Sequence, residues 1–221
     1  MKDGELFSFD KTIAGDLCRA VSYPWEIPEL MGEAIMRIGR GLDPKIYERA
    51  GQSVWIAKNA RVDSSATVIG PAIIDEEAEV RHGAYIRGGV IIGKGAVVGN
   101  SSEVKNSLLL DGVQIPHFNY VGDSVLGWRA HLGAGAIISN LKSDKTNVKV
   151  SLGTEKIDTY RRKFGAAVGD LAEIGCNSVL CPGSIIGKRA TVYPLSRVRG
   201  FVPEGTIYKG EGEPIKREDR G

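Results

Sequence analysis

The stretch YIRGGVIIGKGAVVGNSSEVKNSLLL, residues 85 to 110, places an aliphatic side chain at every sixth position: Ile86, Ile92, Val98, Val104 and Leu110. The interval reaches back through Val80, Ile74, Val68 and Val62 to Ile56. With five-residue steps into Ile115 and Leu126, it runs on through Ile115, Val121, Leu126, Leu132 and Ile138. It resumes at Val168, Ile174, Leu180, Ile186, Val192 and Val198. A helix cannot keep a period of six on one face, because its turn carries the angle away. A single strand could, but it would have to be unreasonably long. Short strands joined by turns satisfy the spacing. Each hexad then points one aliphatic residue inward, three hexads close a triangular coil, and coils stack at about 4.8 Å. Gly93, Gly99, Gly122, Gly127, Gly133, Gly175 and Gly187 follow inward positions, where corners leave little room for a Cβ. The pattern predicts an all-β solenoid whose repeats are stabilised by stacking.

Bulk composition agrees with a folded chain. Of 221 residues, 42% are hydrophobic and 25% charged, so disorder is not expected. A net charge of +2 gives no reason to invoke nucleic acid or an anionic membrane. The N-terminal MKDGELFSFDK has no signal-peptide core and no segment approaches a membrane span, so a cytoplasmic location is the expectation. Cys18, Cys176 and Cys181 form neither a disulfide framework nor a zinc pattern and read as small buried residues.

Two segments leave the ruler. Within EIPELMGEAIMRIGRGL, Ile27, Leu30, Met31, Ala34, Ile35 and Ile38 follow helical spacing, with Pro28 in the first turn and Gly39 and Gly41 as a stop. Residues 1–50 are therefore expected to form a helical cap over the first coil, with the β-helix at 51–205 and a tail at 206–221. Residues 140–170 form an inserted basic loop or arm, in which VKVSLG and KIDT can pair around a turn. Its Lys142, Lys145, Lys149, Lys156, Arg161, Arg162 and Lys163 suit phosphate or coenzyme contacts.

Arg87 and Lys105 each follow an inward residue and lie eighteen apart, so they stack on adjacent coils. His117 has the unshifted pKa of a general base, and Tyr120 lies three residues on. Acyl transfer to an amine needs such a base, and aimed donors for the oxyanion, for instance a backbone N–H near Ala134.

RGGVIIGKGAVVGNSSEVKN, HFNYVGDS and LGAGAIISNLK together resemble the left-handed β-helix of hexapeptide-repeat acyltransferases. The likeness is greatest to the C-terminal acetyltransferase part of bifunctional sugar-1-phosphate nucleotidyltransferases, and covers about residues 50 to 205. It implies a left-handed parallel β-helix with an N-terminal helical cap and an inserted basic arm. It also implies phosphate binding by Arg87 and Lys105, His117 as base, and Tyr120, His131 and Asn140 as sugar contacts. Ala134, Lys142, Lys145 and Lys149 fall to the coenzyme side. The reaction so implied is N-acetylation of an amino-sugar 1-phosphate such as glucosamine-1-phosphate by acetyl-CoA, with no metal. The assembly implied is a homotrimer, with a separate nucleotidyltransferase as a partner, since no nucleotide-binding α/β domain precedes the coils. His131 stands where the family has asparagine, and Pro116 where glycine is common. Two other readings stay open: a non-catalytic sugar-nucleotide-binding or scaffold subunit, and a γ-type carbonic anhydrase using His82, His117 and His131 for zinc.

Overall fold

In the computed structural model, which describes residues 4–152, 155–210 and 215–216, the six-residue period becomes a left-handed parallel β-helix with three sides. The first sheet stacks Ile56, Ile74, Ile92, Leu109, Leu126, Val168, Ile186 and Val202 in register. The second stacks Val62, Val80, Val98 and Ile115, and further along Leu132, Ile174 and Val192. The third stacks Val68, Ile86, Val104, Val121, Ile138, Leu180 and Val198. From Ile74 to Val202 these columns form one dry interior. Each such side chain contributes about 1.5–3 kcal/mol by leaving water.

The first shortened step differs from the expected one. Leu109, not Leu110, pairs with Ile92 and Leu126, so the five-residue step runs from Val104 to Leu109. Leu110 packs in a second, outer cluster. Both shortened steps therefore lie where the chain passes from the third sheet to the first. The six-residue step just before them, Ile86 to Ile92, uses two positive-φ glycines, Gly88 at 87° and Gly89 at 65°. The shortened corners use one left-handed residue each, Asn106 at 47° and Asp123 at 49°. Short polar side chains tolerate that conformation.

Glycines after inward positions are required by the approach of the next coil. A Cβ on Gly99 would lie 1.6 Å from the Pro116 carbonyl oxygen, a backbone atom that cannot yield.

Helices α1 (Gly15–Ala20) and α2 (Ile27–Gly41) do not cover the first coil's end. They lie along the outer face of the first sheet, where Ile27, Met31 and Ile35 pack with Ile73, Ile91, Leu108, Val125, Ala167 and Ile185. The cause is in the sequence: outward positions of this sheet are apolar, so it has two faces to bury. Gly39 is not a stop but a contact, since a Cβ there would lie 2.5 Å from the Trp55 ring. Leu30, expected on the buried stripe, is exposed. The first coil's end stays open, and Ile56, Val62 and Val68 are only partly buried there.

The arm forms an antiparallel hairpin, Lys149–Leu152 with Glu155–Asp158. It is not a solvated loop, because Val148, Val150 and Phe164 join the outer cluster. Strand Tyr47–Gly51 precedes the expected start of the coils, and Thr206–Tyr208 continues the second sheet beyond residue 205. Of the expected tail, residues 211–214 and 217–221 lie outside the described residues. Cys18 is buried, Cys181 half-buried and Cys176 exposed, so the reading of all three as buried fails for Cys176. No described helix is long and apolar enough to cross a membrane.

Candidate functional site

The third sheet carries polar chemistry on its outer face and at both bordering corners. Its outward positions in successive coils are Thr67, Tyr85, Glu103, Tyr120, Ile137, Val179 and Arg197.

At the corner entering this sheet, His117 aligns with Asn100 of the previous coil. The His117 amide donates to the Asn119 Oδ1 at 3.1 Å, and its carbonyl accepts the Gly135 amide at 3.1 Å. Asn119 is 2% exposed and ties three coils together. Its amide donates to the Ser102 hydroxyl, and its side-chain nitrogen donates to the carbonyls of Gly133 and Ala136. The backbone under His117 is thus fixed while its ring is exposed, beside the 56% exposed Phe118. Asn119 escaped the sequence reading because an amide at a corner reads as a turn former; its place two residues after the histidine was the available signal. Ala134 sits one coil beyond His117, and its carbonyl accepts the Asn177 amide at 2.8 Å. Its own N–H meets no backbone acceptor among the described residues, so it stays available as a donor.

At the corner leaving the sheet, Asp123 is 4% exposed and gathers three partners. The Asn106 side chain donates to it at 2.8 Å, the Lys105 ammonium lies at 3.4 Å, and the Asn140 side chain donates to its other oxygen. Neither Asp123 nor Asn106 was singled out from the sequence. The shortened steps, once placed, point to both. Arg87 is adjacent but engaged elsewhere: it pairs with Glu103 at 2.7 Å and lies over the Tyr85 ring. The Glu103 hydrogen bond pushes the Arg87 pKa up. Tyr120 lies between the corners. A Cβ on Gly122 would stand 2.7 Å from both the Tyr120 hydroxyl and the Asn140 side-chain nitrogen, so these groups converge over a bare backbone. Burial first, and then the carboxylates of Asp123 and Glu103, push the Tyr120 phenol up and keep it protonated.

The arm divides its lysines between two depressions that meet at Leu141. One, of about 760 Å³, runs over the later coils of the third sheet and includes Ser139, Lys142, Lys149, Arg197 and Arg199. The other, of about 670 Å³, joins Asn106 and Asp123 to Lys145, Arg161, Arg162 and Lys163. Lys145 thus lines the second depression, and Lys142 and Lys149 the first.

His131 is not brought to this face. It stands on the second sheet beside Gln114 and Glu173, and its Nδ1 lies 2.8 Å from the Glu173 carboxylate. It also stands apart from the corner holding His82 and His117, so the three histidines do not converge within one chain. No metal-binding group of His, Cys, Asp and Glu side chains occurs among the described residues.

Residues 68–160 match the family model described as the GMPPB C-terminal domain. A bifunctional sugar-1-phosphate nucleotidylyltransferase/acetyltransferase of Sulfurisphaera tokodaii is 40% identical over 103 residues, 47% of this chain and 26% of that protein. The bifunctional protein GlmU of Methanococcus vannielii is 33% identical over 114 residues, 51% and 27% of the two chains. The chain thus spans about a quarter of the length of the curated relatives it matches. Among solved structures, a mutant of the N-acyltransferase AntD from Bacillus cereus, in complex with dTDP-4-amino-4,6-dideoxyglucose and coenzyme A, aligns at 18% identity. That alignment covers 76% of this chain and 82% of that one, with a TM-score of 0.38. The chain resembles the hexapeptide-repeat part of the bifunctional nucleotidyltransferase/acetyltransferases, as its motifs imply.

Proposed function

We propose that the chain is an acetyl-CoA-dependent N-acetyltransferase acting on an amino-sugar phosphate, with glucosamine-1-phosphate the acceptor the motifs name. The observation that carries this reading is the third-sheet face itself. A histidine ring on a fixed backbone stands at one corner, and a cluster of Lys105, Asp123 and Asn140 at the other, with the Tyr120 phenol between. The acceptor nitrogen attacks the thioester carbon, forming C–N as C–S breaks. His117 takes the proton the nitrogen loses and returns it to the departing thiolate, which leaves as CoA thiol. The Ala134 N–H is the candidate donor to the oxyanion. Lys142 and Lys149 border the groove assigned to coenzyme A, with Arg197 and Arg199 facing its phosphates. Arg87 and Lys105 retain their phosphate role only if the ligand draws them from Glu103 and Asp123. A homotrimer belongs to the same proposal.

One observation favours the non-catalytic reading: the His117 ring has no hydrogen-bond partner among the described residues to fix its tautomer. The deciding experiment is mass-resolved conversion of amino-sugar 1-phosphates with acetyl-CoA, wild type beside His117→Ala. Acetylated product that falls about 100-fold or more in the variant supports the enzyme. No product from a chain that binds CoA, across amino-sugar phosphates and their nucleotide esters, establishes the non-catalytic subunit.

A further inference from the structure

The turn that carries His117 is built unlike its neighbours along the corner between the second and third sheets. In the other coils the residue ending that turn is Ala66, Ala84, Ser102, Ala136, Ser178 or Ser196; in the coil of His117 it is Asn119. In the coils on either side the backbone closes the turn. There the Ser102 amide donates to the Gly99 carbonyl at 3.2 Å, and the Ala136 amide to the Gly133 carbonyl at 3.1 Å. The Asn119 amide donates instead to the Ser102 hydroxyl at 3.2 Å, and its Oδ1 accepts the His117 amide at 3.1 Å. A methyl or a hydroxyl suffices to end this turn elsewhere, and a side-chain amide appears only beside the histidine.

The reach of that amide sets it apart. Its Nδ2 donates to the Gly133 carbonyl at 2.8 Å and to the Ala136 carbonyl at 3.2 Å, the two ends of the turn in which Ala134 stands. An N–H facing one side and two carbonyls facing the other leave its orientation no alternative. Its backbone carbonyl accepts the Glu103 amide at 2.8 Å, so every polar group of this buried residue is engaged. One planar side chain thus touches the backbone under the base and both ends of the turn that presents the oxyanion donor. A serine is too short to reach both.

We infer that Asn119 is a positioning residue for acetyl transfer, fixing the place of His117 relative to the Ala134 N–H. The inference rests on the proposed acetyltransferase and adds to it a buried residue that acts through two groups at the reacting centre. A misplacement of about 1 Å at such a centre lowers the rate about 100-fold, so a frame common to base and oxyanion donor has a direct kinetic consequence.

Acetyl-transfer kinetics of the full chain compare wild type, Asn119→Ser, His117→Ala and the double variant, with thermal midpoints confirming folding. Asn119→Ser is expected to lower kcat about 10- to 100-fold while both KM values stay within about threefold. In the His117→Ala background the same substitution should have an effect at least about tenfold smaller. A residue that serves only the fold has the same effect in both backgrounds, and that result overturns the inference, as does a change confined to KM. Amide NMR spectra with and without CoA give a readout that needs no turnover. In wild type, CoA should shift the Ala134 and Gly135 amides and, across Asn119, the His117 amide. In Asn119→Ser the His117 shift should fall by about half or more while those at Ala134 and Gly135 remain. A His117 shift that survives the substitution overturns the inference, and so does CoA that leaves the Ala134 and Gly135 amides of wild type unmoved. Absence of acetyl transfer from wild type removes the proposed activity, and the spectra then decide alone. If Asn119→Ser does not fold, Asn119→Asp replaces it in every arm, since it keeps an acceptor for the His117 amide and loses both donors to the turn.

Discussion

The outer faces of the first and third sheets are built on the same ruler and put to opposite uses. On the first, the residues before the inward positions from Ile74 to Ile186 are Ile73, Ile91, Leu108, Val125, Ala167 and Ile185, and they are buried in one cluster with α2 and the arm. On the third, the same position holds Tyr85, Glu103, Tyr120 and Arg197, and it stays accessible. The interior column specifies that a coil forms. The neighbouring residue decides whether its flank becomes core or site.

The largest expected effect breaks this contrast directly. Leu108→Asp puts a carboxylate into the outer cluster and should cost more than about 4 kcal/mol, unfolding much of the population in denaturant titrations. Glu103→Ala, one strand earlier on the third sheet, should cost less than about 1 kcal/mol by the same assay. Equal losses would erase the distinction. Next in size, His117→Ala should reduce acetyl transfer about 100-fold or more while the unfolding midpoint moves little, because what holds that corner is the His117 backbone and Asn119. A large midpoint shift would make the ring structural.

Asp123→Ala is intermediate. It removes the shared acceptor of Lys105, Asn106 and Asn140, and about 1–3 kcal/mol of stability should go with it. A double-mutant cycle with Lys105→Met isolates the ion-pair share; zero coupling would mean that Asp123 serves only the corner turn.

The smallest effect belongs to the corner between the first and second sheets. Burial, above all, pushes the Asp75 and Asp111 carboxyls up from 3.8. The folded state therefore binds their protons more tightly than the unfolded state. Their contribution is fully present below about pH 4 and is lost as pH rises through the raised folded values. The stability of wild type relative to Asp75→Asn/Asp111→Asn should thus rise as pH falls from 7 toward 4. An unchanged difference would place both carboxyls in water.

The coil and its interior were legible because one physical constraint, a dry triangular core, repeats some twenty times. The register slipped only at Leu108, Leu109 and Leu110, where three equal residues hide which one turns inward. The flanking role of α2 required assigning each hexad to a sheet; the apolar residues before the inward column of every third hexad then announce it. At the site, His117, Tyr120, Arg87, Lys105 and Asn140 were visible as residue types with a chemical use. Within one chain His131 stands on the second sheet, a side apart from Tyr120, and only counting hexads in threes separates the two. The pairing of Arg87 and Lys105 was invisible because it depends on which acids share their corner. Asp123 and Asn106 were hidden by serving as turn residues as well.

The central claim is that the third-sheet face binds both substrates while the first is scaffold. Amide hydrogen exchange of the full chain with and without acetyl-CoA tests it most directly. Protection is expected at residues 139–144 and 179–199, and none is added at 73, 91 or 108, which are already buried. Protection confined to the second sheet around His131 and Glu173 would contradict it, and would move the coenzyme to another side of the coil.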